Sequence, residues 1–208
     1  MKKSYFIYSE SDLKRKDNTL QICTNNGNKK DIPIETVSDI YVMTEMGFNT
    51  SLINILSKYG ISVHFFNYYN FYTGSFYPKE QNISGKLLVK QVEYFSNDDK
   101  RLVLAKEFVK GATEGILRNL RYYNERGKNV KEFIEIISNL KRHIDLQTNI
   151  SELMGIEGNI HKVYYDSWNT IIDKEINFEK RVKRPPDNLI NTLISFVNTL
   201  IYTTVLSQ

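Results

Sequence analysis

The 208-residue chain has a single cysteine, Cys23. A disulfide framework and a zinc ribbon both need several cysteines, so one cysteine excludes them. The sequence also contains no HExxH pair, no CxxC pair and no glycine-rich phosphate loop. No Ser/His/Asp set is visible either. The common zinc, thiol-redox and P-loop sites are therefore not expected.

An uninterrupted long apolar run and a strong charge imbalance are missing as well. The basic N-terminus has too short an apolar stretch for a signal peptide. The longest apolar run, residues 189–206, is interrupted by Asn191, Ser195 and Asn198, which favours a buried helix over a membrane span. The chain has 28 lysines and arginines against 24 aspartates and glutamates. This small basic excess permits nucleic-acid binding but does not indicate it. We expect a soluble, cytoplasmic protein with no membrane contact.

The first 78 residues predict a β-rich domain. Residues 50–59 have apolar side chains at helical spacing, with Asn49 or Thr50 as the cap and Gly60 as the stop. His64 is interpreted as a core or edge histidine. Short aromatic or β-branched runs, typical of strands, occur at residues 4–8, 19–24, 39–43 and 61–66.

Residues 67–85 predict a hairpin followed by a linker, which we place at 79–85. This segment is rich in aromatic side chains. They could stack on nucleic-acid bases, or they could pack the edge of the domain or a subunit contact. The sequence leaves both interpretations open.

From residue 86 onward the pattern is helical, so the fold class is α+β, with an all-α domain at 86–208. Asn97 or Asp98 can cap a long helix, and Gly127 can end it. Further helices are predicted around residues 133–140, 150–172 and 189–206. Because the chain stops within an apolar helix, we expect that C-terminal residues are missing and that this helical domain is incomplete.

Glu157 lies between Gly155 and Gly158 in an otherwise helical stretch. Each glycine costs a helix about 1 kcal/mol relative to alanine, and small neighbours let a metal ion or a phosphate approach a carboxylate. Glu157 is therefore a candidate ligand for a hard cation such as Mg²⁺ or Mn²⁺. Alternatively, it is an exposed helical glutamate beside glycines that serve helix packing. His161 follows one turn later and could chelate a transition metal with it, but two ligands do not make a site.

A basic run precedes two prolines. Lys180, Arg181, Lys183 and Arg184 fall within five residues and lead into Pro185-Pro186. Cations on a stiff segment bind phosphates at a lower entropic cost than flexible ones. A solvated charge run between helices is the alternative.

Two C-terminal stretches resemble a known family. LMGIEGNIHKVYYDSW, which contains Glu157, is similar to the glutamate helix of the CRISPR adaptation integrase, the larger of the two universal spacer-acquisition proteins. KRPPDNLINTLISFVNTLIY is similar to that family's R-x-P-x-D…N-x-L-L-S-F helix. Looser matches, such as LKRKDNTLQI and NTSLINILSKYGISVHFFN, extend the resemblance to the N-terminal part.

The resemblance implies a β-rich dimerisation domain joined to a helical catalytic domain. The implied activity is that of a metal-dependent DNA endonuclease and integrase that joins the 3′-OH ends of a DNA fragment to a CRISPR repeat. Mg²⁺ or Mn²⁺ is the implied cofactor. The implied partners are double-stranded DNA, a second copy of the chain and the smaller universal CRISPR adaptation protein.

Site residues carry over position by position. Glu157 falls on the family's glutamate metal ligand, whereas His161 falls where the family usually has a small residue. Asn191 and Ser195 fall on the N-x-L-L-S pattern, where they shape the site without reacting. We expect the nucleic-acid contacts from Arg181, Lys183 and Arg184.

The family's histidine and aspartate ligands follow the helix at 189–206, so on the resemblance this chain holds one of three metal-ligand positions. A single carboxylate binds Mg²⁺ or Mn²⁺ weakly, and phosphoryl transfer needs the metal. We therefore expect the intact protein to be the enzyme and these 208 residues to be weak or inactive. The alternatives are a non-catalytic DNA-binding or assembly subunit of the adaptation complex and a helical protein–protein module.

Overall fold

The computed structural model divides the chain into two compact units, each of which is described by itself. One unit comprises the described residues before 84 together with those from 183 onward, and the other comprises residues 84–182. The residues that the structure describes are 2–24, 26–79, 84–172, 178–183 and 185–206.

Two four-stranded sheets make up most of the first unit. The strands are β1 (Lys3–Ile7), β2 (Ser11–Lys16), β3 (Thr19–Thr24), β4 (Lys29–Pro33), β5 (Val37–Val42), β6 (Met46–Gly47), β7 (Ser62–Phe66) and β8 (Tyr72–Phe76). In the first sheet the order is β1-β5-β7-β8, with parallel pairing except for the antiparallel β7–β8 hairpin. In the second sheet the order is β4-β3-β2-β6.

Helix α1 (Thr50–Tyr59) completes the core of this unit. The Asn49 side chain accepts a hydrogen bond from the Leu52 amide at 2.9 Å, and Gly60 ends the helix with φ of 68°. Both capping predictions are confirmed, because a β-region asparagine and a left-handed glycine satisfy the free backbone groups at the two ends. The core side chains it helps to bury include Ile34, Val37, Leu52, Leu56, Ile61 and Val63, all with 0% exposure.

The aromatic segment of residues 67–77 is partly packed and partly exposed, and for its exposed rings base stacking and a subunit contact both stay predictions. Phe76 packs against the core of the first unit. Tyr68 and Tyr69, in contrast, lie exposed in the turn before β8, at 87% and 74%. The Asn67 side chain holds this turn by accepting hydrogen bonds from the amides of Tyr69 and Phe71.

The described residues of the second unit form α2 (Gly85–Ser96), α3 (Asp98–Glu125), α4 (Lys131–Arg142) and α5 (Ile150–Ile171). Side chains of Ser84, Asn97 and Asn149 cap the starts of α2, α3 and α5. Helices α3, α4 and α5 share one apolar core, whereas α2 has no buried side chain. The core includes Leu117, Leu120, Val130, Ile137, Ile144, Leu153 and Ile160. The predicted α+β class, with strands first and helices after, is confirmed.

Helix α6 (Leu189–Leu206) belongs to the first unit. Its Phe196 and Leu200 pack against Tyr41 and neighbouring residues of the first sheet, and Tyr41 and Thr204 share a hydrogen bond of 2.8 Å between their hydroxyls. The sequence groups α6 with the other helices in a domain at 86–208. Residues 80–83 of the predicted linker lie outside the described residues.

The expectation that α6 is a buried helix is wrong for this chain. Only Ile190, Asn191 and Thr203 are buried, because within the described residues the helix is covered on one face alone. Of the helices described, α6 is also the one whose length and hydropathy would suit a membrane span, which is weak evidence when it stands alone. Beside the covered face, the helix exposes an apolar stripe at four-residue steps: Leu189, Leu193, Val197, Ile201 and Val205.

The core of the second unit yields a test of stability. Leu117 is 1% exposed and Leu104, on the same helix, is 45% exposed. We expect Leu117→Ala to lower the free energy of unfolding by about 2–5 kcal/mol, because it removes buried methyl groups and leaves a cavity. Leu104→Ala, the matched control, should change it by less than about 0.5 kcal/mol. Urea unfolding measures both, and equal losses would contradict the assigned core.

The burial of His64 predicts that the stability of the first unit depends on pH. It has 0% exposure, and its ring Nδ1 lies 2.7 Å from the Ser75 hydroxyl. Burial lowers the pKa of His64, and nearby Asp39 raises it in part. Above the ordinary histidine pKa of about 6.5, both states are neutral. Below it, the unfolded chain binds a proton that the folded chain does not, so stability falls as the pH falls towards the lowered pKa.

Urea unfolding at intervals from about pH 7 to about pH 5 measures this dependence. We expect His64→Phe to flatten the decline, since the substituted side chain binds no proton. Ser75 keeps a partner in that variant, the Tyr72 hydroxyl at 2.7 Å. His143→Gln, at an exposed position on the second unit, should retain the decline. An unchanged decline in His64→Phe would contradict the assignment.

Candidate functional site

Helix α5 places Glu157 at the edge of its buried stripe. Leu153, Ile160 and Ser167 face the core of the second unit. Glu157 and His161 lie on the neighbouring face, because each residue advances the helix by about 100°. Their side chains are 43% and 38% accessible. The carboxylate is therefore held on a rigid helix but remains within reach of solvent.

Glu157 has room beside it. Its Oε1 lies 3.7 Å from Nε2 of His161, a loose contact that solvent screens. A methyl group built at Gly155 or Gly158 would meet no described atom within 4 Å outside its own stretch of helix. The glycines are thus not required by a tightly packed neighbour, which weighs against the helix-packing interpretation and leaves an open surface next to the carboxylate.

The described residues do not by themselves complete a metal site. Glu157 and His161 are two donors one helical turn apart. In the part of the chain that the structure describes, no group of three or more histidine, cysteine, aspartate or glutamate side chains could hold a metal ion. Mg²⁺ takes about six oxygen ligands, several of which are waters, so these two side chains alone do not fit a tightly bound cation.

A cleft of about 330 Å³ lies along the outer face of α5. Three cations and two carboxylates contribute to its walls, and His161 lines it on the Glu157 side. Burial raises the pKa of the Tyr165 hydroxyl, and the nearby Arg181 guanidinium opposes that shift. The lining residues are Gly158, His161, Lys162, Tyr165, Asp166, Glu179, Lys180 and Arg181.

The basic run is divided by the structure. Lys180 and Arg181 belong to the second unit and line this cleft. Arg181 also donates from Nη1 to the Val182 carbonyl at 2.5 Å. Lys183 is exposed and belongs to the first unit. Arg184 lies outside the described residues.

Asn191 and Ser195 lie on α6 in the first unit. Asn191 is fully buried, and its Nδ2 donates to Oδ1 of Asp187 at 2.7 Å. Ser195 lines a mainly apolar groove of about 260 Å³ with Phe71 and Phe196. The expectation that Asn191 and Ser195 shape the reactive site stays a prediction.

Sequence reasoning missed part of the cleft. Lys162 and Tyr165 follow His161 on the outer face of α5, and the helical period alone could have placed them there. Glu179 could not have been found in this way, since it lines the cleft from outside α5 and the helical period says nothing about it.

Comparisons with known proteins agree with this architecture. The family model described as CRISPR associated protein Cas1 matches residues 5–208. A CRISPR-associated endonuclease Cas1 of Fusobacterium nucleatum is 60% identical over 208 residues, which are 100% of this chain and 62% of that protein. The chain therefore spans less than two thirds of the length of that relative.

Solved structures lead to the same family. A CAS1 protein from Thermotoga maritima superimposes with a TM-score of 0.85 at 40% identity, over 99% of this chain and 64% of that one. A chain of a Cas6-RT-Cas1–Cas2 complex has a TM-score of 0.78 over 99% of this chain and 23% of that one, and at 17% identity it shows the fold alone. With the family model matching nearly its full length, the chain belongs to the Cas1 family of CRISPR-associated proteins.

Proposed function

We propose that this protein acts in spacer acquisition as a DNA endonuclease and integrase, and that Glu157 is the residue it contributes to the reactive centre. The observation that carries the proposal is the position of Glu157, partly exposed on α5 next to the cation-lined cleft. The resemblance of its helix to the family's glutamate helix supports the same role, as does the name of the 60% identical relative, an endonuclease.

Charge explains why a carboxylate and cations belong together here. A DNA phosphate is repelled by a carboxylate, so the two approach each other only when positive charge lies between or beside them. Lys162, Lys180 and Arg181 place such charge along the cleft. Glu157 remains able to ligate a cation, because its contact with His161, at 3.7 Å, is loose.

Mg²⁺ or Mn²⁺ is the proposed cofactor of a protein with the full length of the relatives. Such a metal, when bound, would lower the pKa of an attacking hydroxyl and stabilise charge on the phosphate. The described residues fall short of a complete site for it. The part played by this chain is to hold one carboxylate and the neighbouring cations on α5.

Double-stranded DNA, a second copy of the chain and the smaller universal CRISPR adaptation protein are the proposed partners. The Cas1–Cas2 complex with the same fold supports the last of these by analogy. The second candidate function is a non-catalytic DNA-binding or assembly subunit. It is favoured by one observation, the shortage of metal donors among the described residues.

We expect the 208-residue chain to cleave duplex DNA in the presence of Mn²⁺ at least about 100-fold more slowly than the full-length Fusobacterium relative, because weakened metal ligation costs activity of this order or more. Gel assays with labelled DNA, with and without EDTA, measure the rates. Residual metal-dependent cleavage should disappear in Glu157→Gln and persist in Glu135→Gln, a change at an exposed position on α4. Rates equal to those of the relative would contradict the expectation.

A measurement of duplex DNA binding distinguishes the two proposed DNA-binding functions from a protein–protein module in which the basic run only aids solubility. We expect the logarithm of the affinity to fall steeply with the logarithm of the salt concentration. Arg181→Ala and Lys183→Ala should each reduce that slope by about 1. Lys58→Ala removes the same charge from an exposed position at the end of α1 and should leave the slope unchanged. A flat slope in the unsubstituted chain would contradict DNA binding.

A further inference from the structure

One asparagine side chain holds the segment that carries the cleft cations. Asn169, near the C-terminal end of α5, accepts a hydrogen bond from the Phe178 amide through Oδ1 at 2.8 Å. Its Nδ2 donates to the Phe178 carbonyl at 2.8 Å. A single side-chain amide thus satisfies both backbone groups of one residue, as a neighbouring strand would do in a sheet.

The Phe178 ring strengthens this attachment. It is 2% exposed, and its centroid lies 5.3 Å from that of Trp168 and 5.6 Å from that of Tyr165. These spacings are typical of favourable aromatic pairs. We call the Asn169 amide and the buried Phe178 ring together the α5 clamp. It fixes the backbone at Phe178 in position and in direction.

The cations follow within three residues of the clamp. Lys180 and Arg181 line the cleft that His161 enters from the Glu157 side. Neither cation lies on a helix or a strand, so the attachment of the backbone at Phe178, two and three residues earlier, restrains where both cations can lie. A held cation binds a phosphate more tightly than a loose one, since less conformational entropy is lost on binding.

We propose that Asn169 is a positioning residue that, through Phe178, holds Lys180 and Arg181 beside the Glu157 face of α5 for contact with a DNA phosphate. The clamp is inferred from the geometry alone, whereas its role in DNA contact rests on the proposed function. Asn169 itself is exposed and is not part of the core of the second unit, so its removal leaves that core in place.

The clamp is tested first without DNA. Trp168 is the only tryptophan of the chain and touches the Phe178 ring, so its fluorescence reports whether the segment is attached. In Asn169→Ala we expect a red-shifted Trp168 emission and faster trypsin cleavage after Lys180 and Arg181. Alanine has the highest helix propensity, so α5 is not weakened. Circular dichroism confirms that the helices remain.

Two further variants sharpen this test. Asn169→Asp keeps the shape of the side chain but sets a carboxylate oxygen against the Phe178 carbonyl, and it should give the same two changes. Asn119→Ala is the matched control, since it removes another amide from this aromatic region, the one whose Oδ1 accepts from the Tyr164 hydroxyl at 3.1 Å. Unchanged fluorescence and trypsin cleavage in Asn169→Ala and Asn169→Asp would overturn the clamp.

The purpose is tested by duplex DNA binding over a series of salt concentrations. We expect Asn169→Ala to weaken binding several-fold and to lower the salt slope by about 1 to 2, as the loss of one or two phosphate contacts would. The Asn169→Ala/Arg181→Ala double variant should bind less weakly than the product of the two single effects predicts, because both changes remove the same contact. Asn119→Ala should retain the original slope.

Each other outcome has a definite meaning. A released segment with an unchanged salt slope would overturn the positioning role while leaving the clamp. Independent, multiplying effects of the two substitutions would overturn it as well, since they would show that Asn169 acts elsewhere. If the unsubstituted chain does not bind DNA, the proposed function fails together with the DNA purpose, and the fluorescence result still decides whether the clamp exists.

Discussion

The burial of one stripe of α5 is the constraint from which the candidate site follows. Leu153 and Ile160 must face the core that α3 and α4 share with this helix. Because the helix has about 3.6 residues per turn, this orientation places Glu157 and His161 at the border of the core and Lys162 on the outer face. The same helix thus contributes to the core of the second unit and holds the candidate metal ligand Glu157 on a rigid backbone.

The chemistry that Glu157 can perform is limited by the side chains around it. The cleft brings three cations near a half-exposed carboxylate, a combination suited to an anionic polymer. The two donors Glu157 and His161 are too few for a tight divalent site. The chain belongs to the Cas1 family and spans 62% of the length of a relative that is 60% identical to it. The proposed DNA contacts therefore rest on more of the described residues than the proposed catalysis does.

Much of the fold could be predicted because its signals are local. Asn49 and Gly60 mark the ends of α1, and the apolar period marks the helices of the second unit. Strands β2 and β4 have charged sequences, SDLKRK and KKDIP, in which few residues are buried, so their hydrophobic pattern is weak. Pairing with β3 makes them strands, and such pairing is not visible in a short window of sequence.

The site was predictable to a similar extent. Glu157 stood out because two glycines in a helix are costly, and Arg181 stood out because cations cluster around it. Asn169 could not be found, since its partner is the backbone of a residue nine positions away that any sequence could provide. The exposure of α6 could not be predicted either, because composition gives the apolarity of a helix but not how many of its faces are covered.

The first sheet has a consequence for the order in which the protein folds. Strand β1 (Lys3–Ile7) can pair only after β5 (Val37–Val42) has been synthesised. Tyr41 can bond to Thr204 only after a further 163 residues have been added to the chain. Residues 84–182, in contrast, find their partners within one continuous stretch, and contacts between residues near in sequence form faster. During synthesis the helical unit can therefore be complete while Tyr41, Met43 and Phe66 are still uncovered. Such exposed apolar surface is prone to aggregation until α6 covers it.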